Sequence, residues 1–197
     1  MKNLIIIPAI CLTSLYFVAC NNASKKSSPD AGKDTTTTAA VPAIGKSGVN
    51  PKVTASVKEM TADYLQLKNA LTNNNSSGAA IAGKALSEGF AKLDMSVLTT
   101  EQKKTYTDIA ADAKEMAEHI GKSEGNIPHQ REHFDMLSKD MVDLLKLLGA
   151  GQPLYVDHCP MYNNKKGAFW LSESKDIKNP YMGSAMSTCG TIREELK

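Results

Sequence analysis

Two histidines stand one helical turn apart in a segment with helical periodicity. His129 and His133 are separated by four residues, so their imidazoles are neighbours on a helix surface and can bind one metal ion together. A step of about 100° per residue places both on a flank of the apolar face centred on Met141. They could equally be neighbours on a solvated flank that binds no metal. His119 lies off the apolar face of the preceding helix, and we expect it to be exposed rather than a ligand.

The C-terminal tail, residues 152–197, is rich in the donor types that soft or borderline metals prefer. Its donors are the thiols of Cys159 and Cys189, the thioethers of Met161, Met182 and Met186, and the imidazole of His158. Zinc uses Cys and His but gains little from Met, whereas cuprous copper binds thioethers readily. The methionines therefore favour copper over zinc, although methionine is also common as core filler.

Five motifs of this chain resemble those of the domain of unknown function 3347 family. They are His129-Gln130-Arg131-Glu132-His133-Phe134, Cys159-Pro160-Met161, Gly167-Ala168-x-Trp170-Leu171-Ser172, Ile177-x-Asn179-Pro180-Tyr181-x-Gly183 and Met186-x-x-Cys189-Gly190. The resemblance spans Val53 to Glu195. It implies an extracytoplasmic lipoprotein or domain of the kind attached to membrane fusion subunits of heavy-metal efflux systems. The implied role is metal handling, above all of copper, with an efflux complex or a copper donor or acceptor protein as partner.

Chemistry and resemblance together indicate one set of candidate metal ligands. The set is His129, His133, Cys159, Met161, Met186 and Cys189, with cuprous copper as the expected ion and zinc as the alternative. Two arrangements remain open for the cysteines. They are either thiolates on the ion, or a disulfide that pins the tail while the histidines and a methionine bind metal. A third possibility is a structural or interaction lipoprotein that binds no metal and is stapled by a Cys159–Cys189 disulfide.

Other function classes find little support in the sequence. His158 precedes Cys159, but neighbours on an extended segment point to opposite faces and do not form a base–nucleophile pair. The chain has no Gly-rich phosphate loop, nucleophile elbow or metalloprotease helix motif. Removal of Lys2 with a signal peptide reduces the 23 Lys and Arg to 22, against 21 Asp and Glu, and no basic stripe is visible. We expect neither an enzyme nor a nucleic-acid-binding protein.

Apolar residues spaced three and four apart predict the elements that position these ligands. The fold is expected to be mainly α, an antiparallel four-helix bundle with an irregular C-terminal tail or short β-hairpin packed on it. The inward residues are Val53, Val57, Met60, Tyr64, Leu67 and Leu71; Ala82, Leu86, Phe90 and Leu93; Tyr106, Ile109, Ala113, Met116 and Ile120; and Phe134, Leu137, Met141, Leu144, Leu145 and Leu148. Thr99 to Gln102 has the form of a capping box for the third helix, and Gly149 ends the fourth.

The N-terminal residues predict export and a lipid anchor. Residues 1–19 read as a signal peptide, because a charged start precedes an apolar run that is shorter than a bilayer span. Phe17-Val18-Ala19-Cys20 resembles the lipobox of bacterial lipoproteins, in which the cysteine is lipidated. Residues 20–50 are then the lipidated cysteine and a flexible linker, and residues 51–197 the helical domain with its metal-motif tail. The protein is expected at a membrane, facing the periplasm or cell envelope.

Overall fold

The computed structural model describes residues 50–197. The predicted signal peptide and the linker up to residue 49 lie outside the described residues. The helices are α1 (Pro51–Thr72), α2 (Ser76–Lys92), α3 (Thr100–Lys122), α4 (Ile127–Leu148) and the short α5 (Tyr162–Lys165), with 3-10 turns at Met95–Val97 and Gly183–Met186. The strands are β1 (Leu154–Cys159), β2 (Ala168–Ser172) and β3 (Thr191–Leu196).

Side-chain caps fix where the four long helices begin. Asn50 and Asn75 accept hydrogen bonds from backbone N–H groups in the first turns of α1 and α2. The predicted capping box of α3 is confirmed, since Thr99 accepts from the N–H of Gln102 and the Gln102 side chain accepts from the N–H of Thr99. Asn126 caps α4 by accepting from the N–H of His129 at 3.3 Å. The start of α4 is therefore fixed beside the first candidate ligand.

The four long helices pack as a bundle, as predicted. Each contacts the next along the chain, and α1 also contacts α4. The predicted inward residues are buried, except Ile109 and Met116, which are partly buried at the edge of the core. Within residues 50–197, no helix has both the length and the apolar content needed to cross a membrane.

The tail forms a three-stranded antiparallel sheet in the order β2-β1-β3. The hairpin of β1 and β2 confirms the expected short β-hairpin, with Asp157 opposite Trp170 and Cys159 opposite Ala168. The third strand was not predicted, because its residues are mostly exposed and charged and show no apolar alternation. Strand β2 packs on α4, where Trp170 is fully buried.

Buried polar contacts fasten the sheet to α1 and α4. The hydroxyls of Tyr64 and Ser138 lie 2.7 Å apart, and the N–H of Leu171 in β2 donates to the Tyr64 hydroxyl at 3.1 Å. The buried Lys68 of α1 pairs with Glu173 beyond β2 at 2.9 Å. The tail therefore covers the side of the bundle formed by α1 and α4, and the groove between α3 and α4 remains uncovered by these contacts.

Candidate metal site

The side chains of three histidines lie close together at the end of α3 and the start of α4. His119 lies in the last turn of α3, and His129 and His133 lie in the first two turns of α4. One ring nitrogen from each lies within 4.8 Å of the other two. Among the described residues this is the only group of three or more His, Cys, Asp or Glu side chains that meets this distance.

The spacing of His129 and His133 suits a shared ion. Their Nε2 atoms lie 3.1 Å apart. Imidazole nitrogens bind zinc at about 2.0–2.1 Å, and at that bond length a 3.1 Å separation subtends an angle of about 100° at the ion. That angle is close to the tetrahedral value, so these two rings can bind one ion without a change in the helix.

His119 must turn before it can join them. Its ring stacks on that of His133, with centroids 4.6 Å apart and planes inclined by 11°. Stacked rings hold their in-plane lone pairs in two nearly parallel planes, so these lone pairs do not meet at one ion. The His119 ring has room to rotate, because 48% of its side chain is exposed and the carboxylate of its partner, Glu115, is 3.7 Å away. The expectation that His119 is exposed is confirmed, but the structure places it in the group from which the sequence excluded it.

The protonation state of His133 favours metal binding at neutral pH. Partial burial lowers the pKa of His133 below its ordinary value, and the neighbouring His129 and His119 lower it further. The imidazole is therefore neutral at pH 7, with one nitrogen lone pair free. On the outer side of the group, the Nδ1 of His129 lies 3.4 Å from a Glu132 carboxylate oxygen, the kind of contact that orients a ligating histidine.

The predicted tail ligands form a separate group. The sulfurs of Cys159 and Cys189 lie 2.6 Å apart, with Cys159 fully buried and Cys189 partly exposed. The hydrogen bond with Cys159 raises the pKa of the Cys189 thiol, and burial adds to this. Met161 and Met186 have exposed side chains, 44% and 39% respectively. The structure thus brings the two cysteines together and leaves the two methionines at the surface.

The single joint site expected from the sequence is not formed. Tail residues dock on Arg131, whose Nε donates to the carbonyl of Pro180 at 2.7 Å, and on Ser138. On a step of about 100° per residue, Arg131 lies about 160° around α4 from both His129 and His133. Ser138 lies about 140° from His133 and about 180° from His129. The predicted ligands are therefore separated in the structure. The histidines face α3, the two cysteines contact each other in the tail, and the methionines lie at the surface of the tail; the full set was His129, His133, Cys159, Met161, Met186 and Cys189.

One protein-family model matches the bundle and not the tail. Residues 60–152 match the family model described as "Protein of unknown function (DUF3347)". The chain resembles this family. The matched stretch includes all three histidines and ends before β1, so the tail motifs lie beyond it. No curated protein and no solved structure matches the chain.

Sequence reasoning missed His119 as a member of the site, although a signal for it was present. Only residues 123–126 separate α3 from α4. So short a connection makes an antiparallel helical hairpin, in which residues at equal distances from the loop lie level with each other. His119 and His129 are spaced almost evenly about this loop, and so are Met116 and His133. The apolar face of a single helix carries no information about residues across the loop, so the proximity of His119 to His129 was not predicted.

Proposed function

We propose that the protein is an extracytoplasmic lipoprotein that binds one transition metal ion, copper in the first place, at His119, His129 and His133. Its role would be copper homeostasis or efflux. The observation that carries the proposal is that three imidazole nitrogens lie within 4.8 Å of one another on the α3–α4 hairpin, so that a turn of His119 would complete the site. Three histidine nitrogens are a complete protein ligand set for an ion that keeps a fourth position open.

The ligand types set the order of metals to be tested. Imidazole suits copper, zinc, iron and nickel, and among divalent ions the affinity order places copper(II) highest. The soft donors of the tail lie elsewhere, so the preference for copper rests on the imidazoles and on the resemblance to proteins linked with heavy-metal efflux. Zinc is the alternative ion.

The exposure of the site favours exchange of the ion with another protein. His119 and His129 have 48% and 41% of their side chains exposed. A partner can therefore approach the open position with a ligand of its own. A lipid on Cys20 and a flexible linker would hold such a site close to a membrane, where an efflux complex or a copper donor could reach it.

A titration with a matched histidine control tests the proposal. Metal-free protein is titrated calorimetrically with copper(I) from a chelate competitor, with copper(II) and with zinc, and its thermal midpoint is recorded. The double variant His129→Ala, His133→Ala removes the site, and His158→Ala removes a histidine that packs on Phe169 in the sheet. We expect one ion per chain for the wild type and the control. Stabilisation should reach about 2.7 kcal/mol when the free metal is 100 times the dissociation constant.

The double variant should lose binding, while its metal-free midpoint should change little because both histidines lie on a flank of the core. Equal binding by wild type and double variant would remove the histidines from the site. Absence of binding by the wild type with every metal would reject the metal proposal itself.

One observation favours a second candidate, a structural or interaction lipoprotein with a Cys159–Cys189 disulfide. The two sulfurs are in contact and join the end of β1 to the segment just before β3. A disulfide there would stabilise the tail by a few kcal/mol. If this second candidate is correct, metal should not raise the thermal midpoint in the same experiment, and reduction of the disulfide should lower it.

A further inference from the structure

We propose that Met116 is a positioning residue of the histidine site, because its thioether accepts the Nδ1–H of His133 and so keeps Nε2 of that ring free for the ion. The inference rests on the proposed function for its consequence in metal binding. It assigns a role to a residue that the sequence pattern places simply in the core of α3.

The contact joins the right atoms for this role. The Met116 sulfur lies 3.3 Å from Nδ1 of His133, whereas Nε2 of the same ring lies 3.1 Å from Nε2 of His129. A neutral imidazole carries one proton, and the hydrogen bond made by one nitrogen decides which nitrogen remains as the lone-pair donor. A proton on Nδ1 finds the sulfur as acceptor. A proton on Nε2 would point into the space between the histidines and oppose a cation there.

The same geometry excludes Met116 as a ligand of that ion. An ion bound to Nε2 lies about 2 Å beyond the ring, on the side away from Nδ1. The sulfur, which contacts Nδ1, is then too far away to bind it. Met116 can therefore act on the ion only through the orientation and tautomer of His133.

The contact with Met116 is better shielded from water than the carboxylate contacts of the other two rings. Met116 is partly buried and packs against the core, which limits competition from water. Glu115 and Glu132, the partners of His119 and His129, have 65% and 68% of their side chains exposed. A carboxylate partner raises the basicity of a ligating histidine. The uncharged thioether selects the tautomer without this added charge, which keeps the ion exchangeable.

The test compares Met116→Leu with Met116→Gln. Leucine has a similar volume and no acceptor, and glutamine has a similar length and a carbonyl oxygen that accepts the same proton. The tautomer of His133 is read in metal-free protein from the ¹⁵N shifts and couplings of its imidazole, and affinity from the competitive titration. Met95→Leu is the control, since Met95 is an exposed methionine in the 3-10 turn Met95–Val97, outside both helices that carry the histidines.

We expect the Nδ1–H tautomer to dominate in the wild type, in Met116→Gln and in the control, and to fall in Met116→Leu. Metal affinity should drop about 10-fold to 100-fold in Met116→Leu, the usual effect of losing an outer partner, and recover in Met116→Gln. An unchanged tautomer in Met116→Leu overturns the inference, whatever happens to affinity. If the wild type binds no metal, the proposed function fails, but the tautomer measurement still decides the role of Met116.

Discussion

At the scale of the residue, Asp157 is a carboxylate enclosed in the interior. It is fully buried in β1, and neither of its oxygens accepts a hydrogen bond from the described residues. Burial raises the pKa of Asp157 to about 6, the nearby Glu173 also raises it, and Lys68 opposes both. The indole N–H of Trp170, opposite Asp157 in the sheet, lacks a partner in the same part of the chain. This position therefore costs stability when the carboxylate is charged.

The pH dependence of stability should show this cost. The folded-state pKa is raised, so the folded protein binds more protons than the unfolded chain between about pH 4 and about pH 6. The contribution of Asp157 is therefore most favourable below pH 4 and is lost as pH rises to 6. We expect Asp157→Asn to remove this slope and to raise the free energy of unfolding at pH 7 by about 1 to 3 kcal/mol.

Urea unfolding of wild type and Asp157→Asn between pH 4 and pH 8 measures the effect. Asp108→Asn, at an exposed position of α3, controls for the general loss of a negative charge. An identical pH slope in wild type and Asp157→Asn would show that folding does not raise the pKa of Asp157.

At the scale of the element, local signals predicted the helices and two of the three histidines of the site. Caps and apolar spacing depend on residues within a few positions of one another, which is why the capping box and the end of α4 at Gly149 were predicted. The pairing of His129 with His133 has the same local origin. Docking of the tail depends on contacts such as Arg131 to Pro180 and to the carbonyl of Leu71, which join distant parts of the chain. No periodicity carries that information, so the sequence alone could not separate the cysteines from the histidines.

The packing of α2 on α3 depends on a close approach of two backbones. A Cβ atom at Gly83 would lie 2.9 Å from the carbonyl oxygen of Ala117 and 3.1 Å from the N–H nitrogen of Gly121. Backbone atoms inside two helices cannot move aside cheaply. At Gly89, by contrast, an added Cβ would approach no backbone atom and would meet only the side chain of Met60, whose Cγ lies 2.9 Å away.

These two glycines make a matched pair of substitutions. Alanine favours a helix interior over glycine by about 1 kcal/mol at both positions. We expect Gly83→Ala to destabilise the protein by a net 1 to 3 kcal/mol, about the cost of overpacking, and Gly89→Ala to be near neutral. Urea unfolding at one pH compares them. Equal stability of the two variants would mean that α2 and α3 can separate without loss. Because His119 lies on α3, Gly83→Ala should also weaken metal binding if the helix shifts.

At the scale of the whole molecule, the two candidate groups belong to different parts of the chain. The histidines lie in the bundle, which holds the stretch that matches the family model, and the cysteines lie in the sheet beyond it. Each group is completed locally, the first by a helical hairpin and the second by the junction of β1 with the segment before β3. Metal binding by the bundle and a disulfide in the tail are therefore compatible in one molecule. Substitutions can remove either one without affecting the other.

Attachment to a membrane is the last expectation, and it rests on Cys20, which lies outside the described residues. Val18-Ala19-Cys20 has the form of a lipoprotein processing site. One acyl chain binds a membrane only marginally, so stable attachment requires several chains on this cysteine. We expect Cys20→Ser to leave the membrane fraction and wild type to remain there through a high-salt wash. Cys11→Ser changes a cysteine that the expected cleavage would remove, and it should behave like wild type. Mass spectrometry of the wild type should show an N-terminal peptide that begins at Cys20 and carries acyl chains. If Cys20→Ser stays in washed membranes, or the mature protein begins elsewhere without lipid, the anchor is absent. The histidine site would then act in solution rather than beside a membrane partner.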